Sequence, residues 1–279
     1  MDALRFLVFW RLMVILLIPS VLLGQKTDAP TTREMNLISW QEFQEFVPKQ
    51  IETVLLPVGT LEPHGVLPNG SDNLAPEAMA RAIAERTDAL IAPTLNYGVT
   101  GTMKAFPGAF AISEKAYRVF VADILQGLAG NGFKNIIVLN GHGGPQTAIL
   151  KDLANTVSAE NRVRVLVINW WSLSSEDTFA IFEENGGHAG NNETAYIQAI
   201  VPQLVHPERY STDMATPFPK GTSWYAVPFP SSIGLYEKGQ GYPTFDEKQA
   251  EEYFKRVNNR VAELIEEIIR KWDQAGLYR

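Results

Sequence analysis

The sequence predicts an α/β domain with a mainly parallel sheet between helical layers. Three observations carry that expectation. Short apolar runs of buried-strand type recur at 53–58, 89–93, 135–139 and 163–168. Segments of helical composition separate them, at 76–86, 113–130, 147–158 and 192–201. The clearest strand, 135–139, is apolar throughout rather than alternating, as in a sheet covered on both faces.

Taken in order, the chain opens with a targeting pattern. Arg5 and Arg11 precede the apolar run 12–23, and Gly24 is followed by the polar Gln25, Lys26 and Thr27. Residues 1–24 read as a signal peptide, which implies export to a periplasmic or secreted location. The alternative is an uncleaved anchor over 6–23, about long enough to span a bilayer apart from Arg11. Gln25 stands where a lipoprotein would carry its cysteine, so no thioether lipid anchor is expected. Residues 25–36 read as a polar linker and 37–279 as one domain, with no membrane association beyond the N-terminal segment.

Within that domain, 39–47 places Trp40, Phe43 and Val47 on one helical face, with Ser39 as N-cap. Pro76 suits the first turn of the helix at 76–86. Ser113 caps the helix at 113–130, whose apolar positions include Val119, Ile124 and Leu128. Pro202 ends the helix at 192–201. A long amphipathic helix, 245–276, turns Tyr253, Val257, Val261, Leu264 and Ile268 inward.

Composition narrows the chemistry. Lys+Arg 24 against Asp+Glu 31 gives a net charge of −7, with no long basic run, which argues against nucleic acid as a partner. The absence of cysteine excludes disulfides, thiolate nucleophiles, iron–sulfur clusters and cysteine-type structural zinc. Any metal must sit on His, Asp and Glu. Of the four histidines, His64, His142 and His188 lie in glycine- or alanine-glycine-flanked loops, and His206 is assigned to the surface.

Those three histidines mark three stretches. Gly59-Thr60-Leu61-Glu62-Pro63-His64-Gly65 follows a strand, and Asp72 lies beyond the turn Pro68-Asn69-Gly70, which can fold it back toward Glu62 and His64. Asn140-Gly141-His142-Gly143-Gly144 follows the strongest strand. His188-Ala189-Gly190-Asn191-Asn192-Glu193 places His188 in a loop and Glu193 in the first turn of a helix. Taken singly, these carboxylates could be surface or capping groups, and the G-H-G-G run a phosphate or oxyanion loop. Together they point to a metal site at strand ends, the usual active-site location in a parallel sheet.

In that order the motifs resemble the creatininase (creatinine amidohydrolase) family, supported by Tyr97-Gly98, Phe106-Pro107-Gly108 and Gly239-Gln240-Gly241-Tyr242-Pro243-Thr244. The resemblance implies a three-layer α/β/α sandwich and two divalent metal ions hydrolysing a C–N bond. It assigns Glu62 and His142 to one ion, His64 and Glu193 to the other, and Asp72 as the bridge. It leaves His188 metal-free beside the reacting bond, where an imidazole suits the general acid that must protonate the leaving nitrogen. The family's usual metals are zinc and manganese, with iron in some members, and its members are commonly homo-oligomers, hexamers in the best-known case.

Two ions about 3.5–4 Å apart share and acidify a water, which suits direct attack on a small-molecule amide. Creatininase proper carries a tyrosine and a metal-binding glutamate where this chain has Gly143 and Gly144, so that ligand role passes to Glu193. The expected substrate is therefore a different cyclic amide, a formamide or a related small amide, contacted by Thr100, Thr102, Gly143, Gly144 and Trp171. Trp170 and Trp224 are further wall candidates. The competing readings are an exported metal- or ligand-binding protein without turnover, and a metal-dependent phosphoesterase.

Overall fold

The computed structural model describes residues 29–278. The signal-peptide or anchor expectation for 1–24 lies outside the described residues. Among the described residues, no helix is long and apolar enough to cross a membrane.

Strands β1 (Thr53–Val58), β2 (Ala89–Ile91), β3 (Asn135–Asn140) and β4 (Arg164–Asn169) form an all-parallel sheet in the order β2-β1-β3-β4. Val58 pairs with Asn140, and Asn140 with Asn169, so three strands end level at one carboxyl edge. Side-chain alternation then sorts the strands into two cores. Val54, Leu56, Val58, Ile136 and Val138 face α3 (Glu114–Gly130) and α4 (Gly144–Asn161). Leu55, Ile137 and Leu139 face α2 (Ser71–Ile83), α7 (Asn191–Ile200) and α8 (Glu247–Gln274). Both faces are covered, giving the three α/β/α layers.

The helices follow their apolar spacing. On α8, Tyr253, Val257, Val261 and Ile265 recur every fourth residue and are fully buried, each contributing about 1.5–3 kcal/mol. Ile265, rather than Leu264 or Ile268, completes that stripe. Ser39 caps α1 (Trp40–Phe46) by accepting from the Glu42 N–H, but Trp40 is exposed and Phe46 is buried instead. On α3, Val119 likewise faces solvent, because Tyr117, Val121, Leu125 and Leu128 take the inward positions.

The start of α2 also differs from expectation. The helix begins at Ser71, not Pro76, which places Asp72 in its first turn. Pro76 sits inside the helix, where it removes the N–H that would bond the Asp72 carbonyl. That carbonyl instead abuts Gly59 and Gly141, just past β1 and β3, where an added Cβ would lie 2.2 Å and 1.9 Å from it.

Two short helices, α5 (Trp170–Leu173) and α6 (Ser175–Phe182), had no counterpart in the sequence reading. Nor did a small sheet of β5 (Gly187–His188), β6 (Ala215–Pro217) and β7 (Ile233–Leu235), ordered β5-β7-β6. From residue 29 on, the expected linker lies along the edge of β2. The Ile91 N–H donates to the Arg33 carbonyl at 2.7 Å, and the Arg33 guanidinium pairs with Glu85 and Asp88.

The glycine packing gives a stability test. Gly141→Ala is expected to destabilise the protein by about 1–3 kcal/mol through overpacking. Gly127→Ala, where nothing lies within 4 Å of the new Cβ on α3, should stabilise it by about 0.5–1 kcal/mol. Urea unfolding of both variants checks this, and equal midpoints would refute the close-approach argument.

Candidate metal centre

The site forms where β1 and β3 diverge in connectivity, the crevice at which parallel sheets place ligands. The segment after β1 delivers Glu62 and His64, the turn after β3 delivers His142, and the first turn of α2 delivers Asp72. His188 comes from β5, and Glu193 from the first turn of α7. Glu62, His64, Asp72 and His142 are all buried.

Asp72 divides these groups into two sets. Its Oδ2 lies 2.8 Å from His142 Nδ1, which is 3.1 Å from Glu62 Oε1. Its Oδ1 lies 3.0 Å from His64 Nε2, which is 3.5 Å from Glu193 Oε2. Main-chain groups hold the ligands from behind. His64 Nδ1 lies 3.1 Å from the Glu62 carbonyl, and the Ala189 N–H donates to Glu193 Oε2 at 2.7 Å. A carbonyl only accepts, so His64 Nδ1 carries a proton and Nε2 is the atom turned to the carboxylates. That buried Nε2 makes no well-directed hydrogen bond despite the short approach. Converging oxygens and an imidazole nitrogen without a directed hydrogen bond fit a shared cation.

The sixth group stands apart. His188 Nε2 donates to the Pro63 carbonyl at 2.7 Å, while Nδ1 lies 3.5 Å from Glu62 Oε1. Its ring centroid is 4.2 Å from that of His64. Glu62, His64 and His188 also bring ligand atoms within 4.8 Å of one another, a second grouping able to hold an ion.

Electrostatics follow from burial and proximity. Burial opposes charge on His64, but Asp72 and Glu193 override it and push the imidazole up to about 10. His142 is likewise raised well above its ordinary value, with Glu62 and Asp72 outweighing burial. Against their own burial, Glu62 is held low mainly by His142, and Asp72 by His64 and His142. Burial pushes Glu193 up to about 7, with His64 pulling the other way. Burial, then the charge on His64, hold His188 down to about 4. In the metal-free chain, protons on His64 and His142 thus do the work of a cation.

A cavity of about 490 Å³ opens over the centre. Thr102, Gly143, Gly144 and Trp171 line it. Thr100 does not: its hydroxyl is buried against Thr60 Oγ1 at 3.0 Å and serves the loop rather than the cavity. Trp170 is core, and Trp224 stacks on Phe229 instead of lining the cavity. His206 is on the surface beside Glu208. Met103, Thr147, Asn169, Phe218 and Tyr236 also line the cavity and were missed. The Tyr236 phenol is pushed up to about 12 by burial and the charge of Glu193, so it stays neutral. Of the missed residues, Asn169 had a signal, since it follows the expected strand 163–168 and lies two residues before Trp171.

A parallel sheet with a buried imidazole–carboxylate set at its carboxyl edge is an arrangement able to hold divalent metal at the usual active-site position. The family model for creatininase, described as creatinine amidohydrolase, matches residues 36–265, and the chain belongs to that family. It is 27% identical over 190 residues to 3-dehydro-scyllo-inosose hydrolase of Thermotoga maritima, covering 65% of this chain and 60% of that protein, less than two thirds of its length. It is 28% identical over 200 residues to creatinine amidohydrolase of Pseudomonas putida, covering 65% of this chain and 77% of the relative. It is 29% identical over 181 residues to mycofactocin precursor peptide peptidase of Mycobacterium ulcerans, covering 61% and 67%. A crystal structure of creatinine amidohydrolase shares the fold with a TM-score of 0.70 at 24% identity, over 84% of this chain and 97% of that one. Solved creatininases include a Zn-Zn type and a manganese form.

Metal uptake should therefore release protons. The carboxylates push His64 up to about 10 and raise His142 well above its ordinary value, so a cation competes with protons at both imidazoles. Calorimetric titration of chelated protein with zinc at pH 7, in buffers of different ionisation enthalpy, should show net release and an affinity that rises with pH. No buffer dependence would contradict the charge pattern.

Proposed function

We propose that the chain is an exported, dinuclear metal-dependent amidohydrolase that cleaves a C–N bond in a small cyclic amide, formamide or related amide. The observation that carries this reading is the Asp72 carboxylate, whose two oxygens face two separate imidazole–carboxylate pairs. Glu62 and His142 would hold one ion, His64 and Glu193 the other, with Asp72 common to both. Zinc or manganese on this donor set supplies Lewis acidity and a water nucleophile at neutral pH.

The chain's own part centres on His188. Its bond to the Pro63 carbonyl fixes the ring and leaves Nδ1 free of a proton. Nδ1 takes a proton from the attacking water and returns it to the leaving nitrogen, acting as base and then as the general acid that the leaving nitrogen requires. Trp171, Met103 and Phe218 give the cavity apolar walls that limit water. Among the described residues no lysine or arginine lines it, which favours a neutral amide over a phosphate ester. The relatives named creatinine amidohydrolase and mycofactocin precursor peptide peptidase support C–N cleavage, while the inosose hydrolase marks how far substrates vary. Export rests on the pattern of residues 1–24, and a homo-oligomer on the family resemblance.

Metal analysis and a screen of lactams, formamides and phosphate esters test the reading. Two ions bound with no C–N substrate cleaved would favour a binding protein. Asp72→Ala should lower occupancy of both ions and cut activity by more than about a hundredfold. His188→Ala should keep both ions and lose about 10²–10⁴ of kcat. Loss of metal in that second variant would place His188 among the ligands, in the Glu62–His64–His188 grouping. For export, N-terminal sequencing of protein recovered outside the cytoplasm should begin at Gln25.

A further inference from the structure

One polar side chain in the cavity, Asn169, has no part in the proposed chemistry, yet its orientation is fixed from behind. The fixing starts at Asn140, buried at the end of β3. Its Oδ1 accepts from the His142 N–H at 3.2 Å, and its Nδ2 donates to the His142 carbonyl at 2.7 Å. A backbone N–H only donates and a carbonyl only accepts, so the two ends of the Asn140 amide are unambiguous.

A second chain of bonds agrees. The Val99 N–H donates to Gln146 Oε1 at 3.1 Å, which leaves Gln146 Nε2 to donate to Asn140 Oδ1 at 3.1 Å. Gly98 makes room for this, since a Cβ there would lie 2.0 Å from Gln146 Oε1.

Asn140 Nδ2 has two hydrogens. They serve three acceptors: the His142 carbonyl at 2.7 Å, Asn169 across the β3–β4 register at 2.7 Å and Thr147 Oγ1 at 3.0 Å. A donor there requires an oxygen, so Asn169 Oδ1 points into the sheet, where Thr147 Oγ1 also reaches it at 3.3 Å. The Asn169 Nδ2 is left over. It has no hydrogen-bond partner among the described residues, and Asn169 lines the cavity.

We propose that Asn169 is a specificity-determining residue: it presents a donor-only amide to the cavity and selects substrates that carry a neutral acceptor oxygen, carbonyl or hydroxyl, besides the scissile amide. The acceptor is neutral because, among the described residues, no lysine or arginine lines the cavity to pair with a charged one. The inference deepens the amidohydrolase reading and rests on its assignment of this cavity to substrate. An amide locked in this way cannot turn over to suit a donor on the ligand, so the wrong partner leaves a polar group unpaired.

The test uses succinimide and 2-pyrrolidinone, neutral rings that differ by one carbonyl, with the metal-loaded enzyme and ligand-observed NMR titration. Wild type should bind succinimide about tenfold more tightly. Asn169→Ala should bring the two probes to equal affinity while 2-pyrrolidinone still binds, with metal occupancy measured on the same sample and matched to wild type by added metal. Asn169→Asp keeps an oxygen toward Asn140 and puts a second one in the cavity, so it should bind succinimide more weakly than the alanine variant. Equal affinities in wild type, or a preference that survives Asn169→Ala, overturns the proposal. If the preference and its loss appear but no C–N substrate in the wider screen is cleaved, the selection stands and the amidohydrolase reading fails.

Discussion

Asp72 reaches the centre because its own backbone carbonyl lies against two residues without side chains, Gly59 and Gly141. The remaining ligands depend on that approach. A Cβ at either position would force the first turn of α2 away from the strand ends and carry the carboxylate with it. Both imidazole–carboxylate pairs would then lose the carboxylate they share, and a misplacement of about 1 Å is enough to cost roughly 10²-fold in such a site. Pro76 contributes from the other side of the carbonyl. By supplying no N–H to it, the proline leaves that face of the helix for the glycines to occupy.

Burying three carboxylates and three imidazoles together is costly unless each charge is compensated. The chain meets that cost largely through its main chain. The carbonyls of Glu62 and Pro63 engage His64 and His188, and the Ala189 N–H holds Glu193. Asn140 clamps the His142 peptide at both its N–H and its C=O. Backbone partners have no rotamers to lose, so the ligands stay converged whether protons or cations sit between them. The opposed shifts of the group follow from this: His64 and His142 are raised by the same carboxylates that they hold low.

How much of this was legible in the sequence depended on which signal each residue carried. Glu62, His64, Asp72, His142, His188 and Glu193 stood out because the chain has no cysteine and only four histidines, so metal-binding chemistry had few places to be. The parallel strands and α8 were legible because apolar runs and a four-residue stripe have a period. The start of α2 was not, because Pro76 imitates a first-turn residue while the true first turn is Ser71, Asp72 and Asn73. Thr100 misled because a threonine in a glycine-containing loop reads the same whether its hydroxyl faces the cavity or Thr60. The small sheet of β5, β6 and β7 has strands of two or three residues, too short for any alternation to appear.

That pattern of legibility reflects a division of labour in the fold. Glu62, His64, Asp72, His142 and Glu193 sit just beyond strands β1 and β3 or in the first turns of α2 and α7, elements held rigid by two buried cores. Phe218 and Tyr236 come from the segments next to β6 and β7, outside those cores, where sequence can change without disturbing the ligands. Asn169 belongs to neither group. It sits on the main sheet, in register with Asn140, and is bonded to the residue that positions His142. A substitution there acts on the cavity wall and on a ligand's support at once, whereas one at Phe218 or Tyr236 acts on the wall alone. Variation in substrate preference that spares the metal centre therefore has an easier route through the small sheet than through the end of β4.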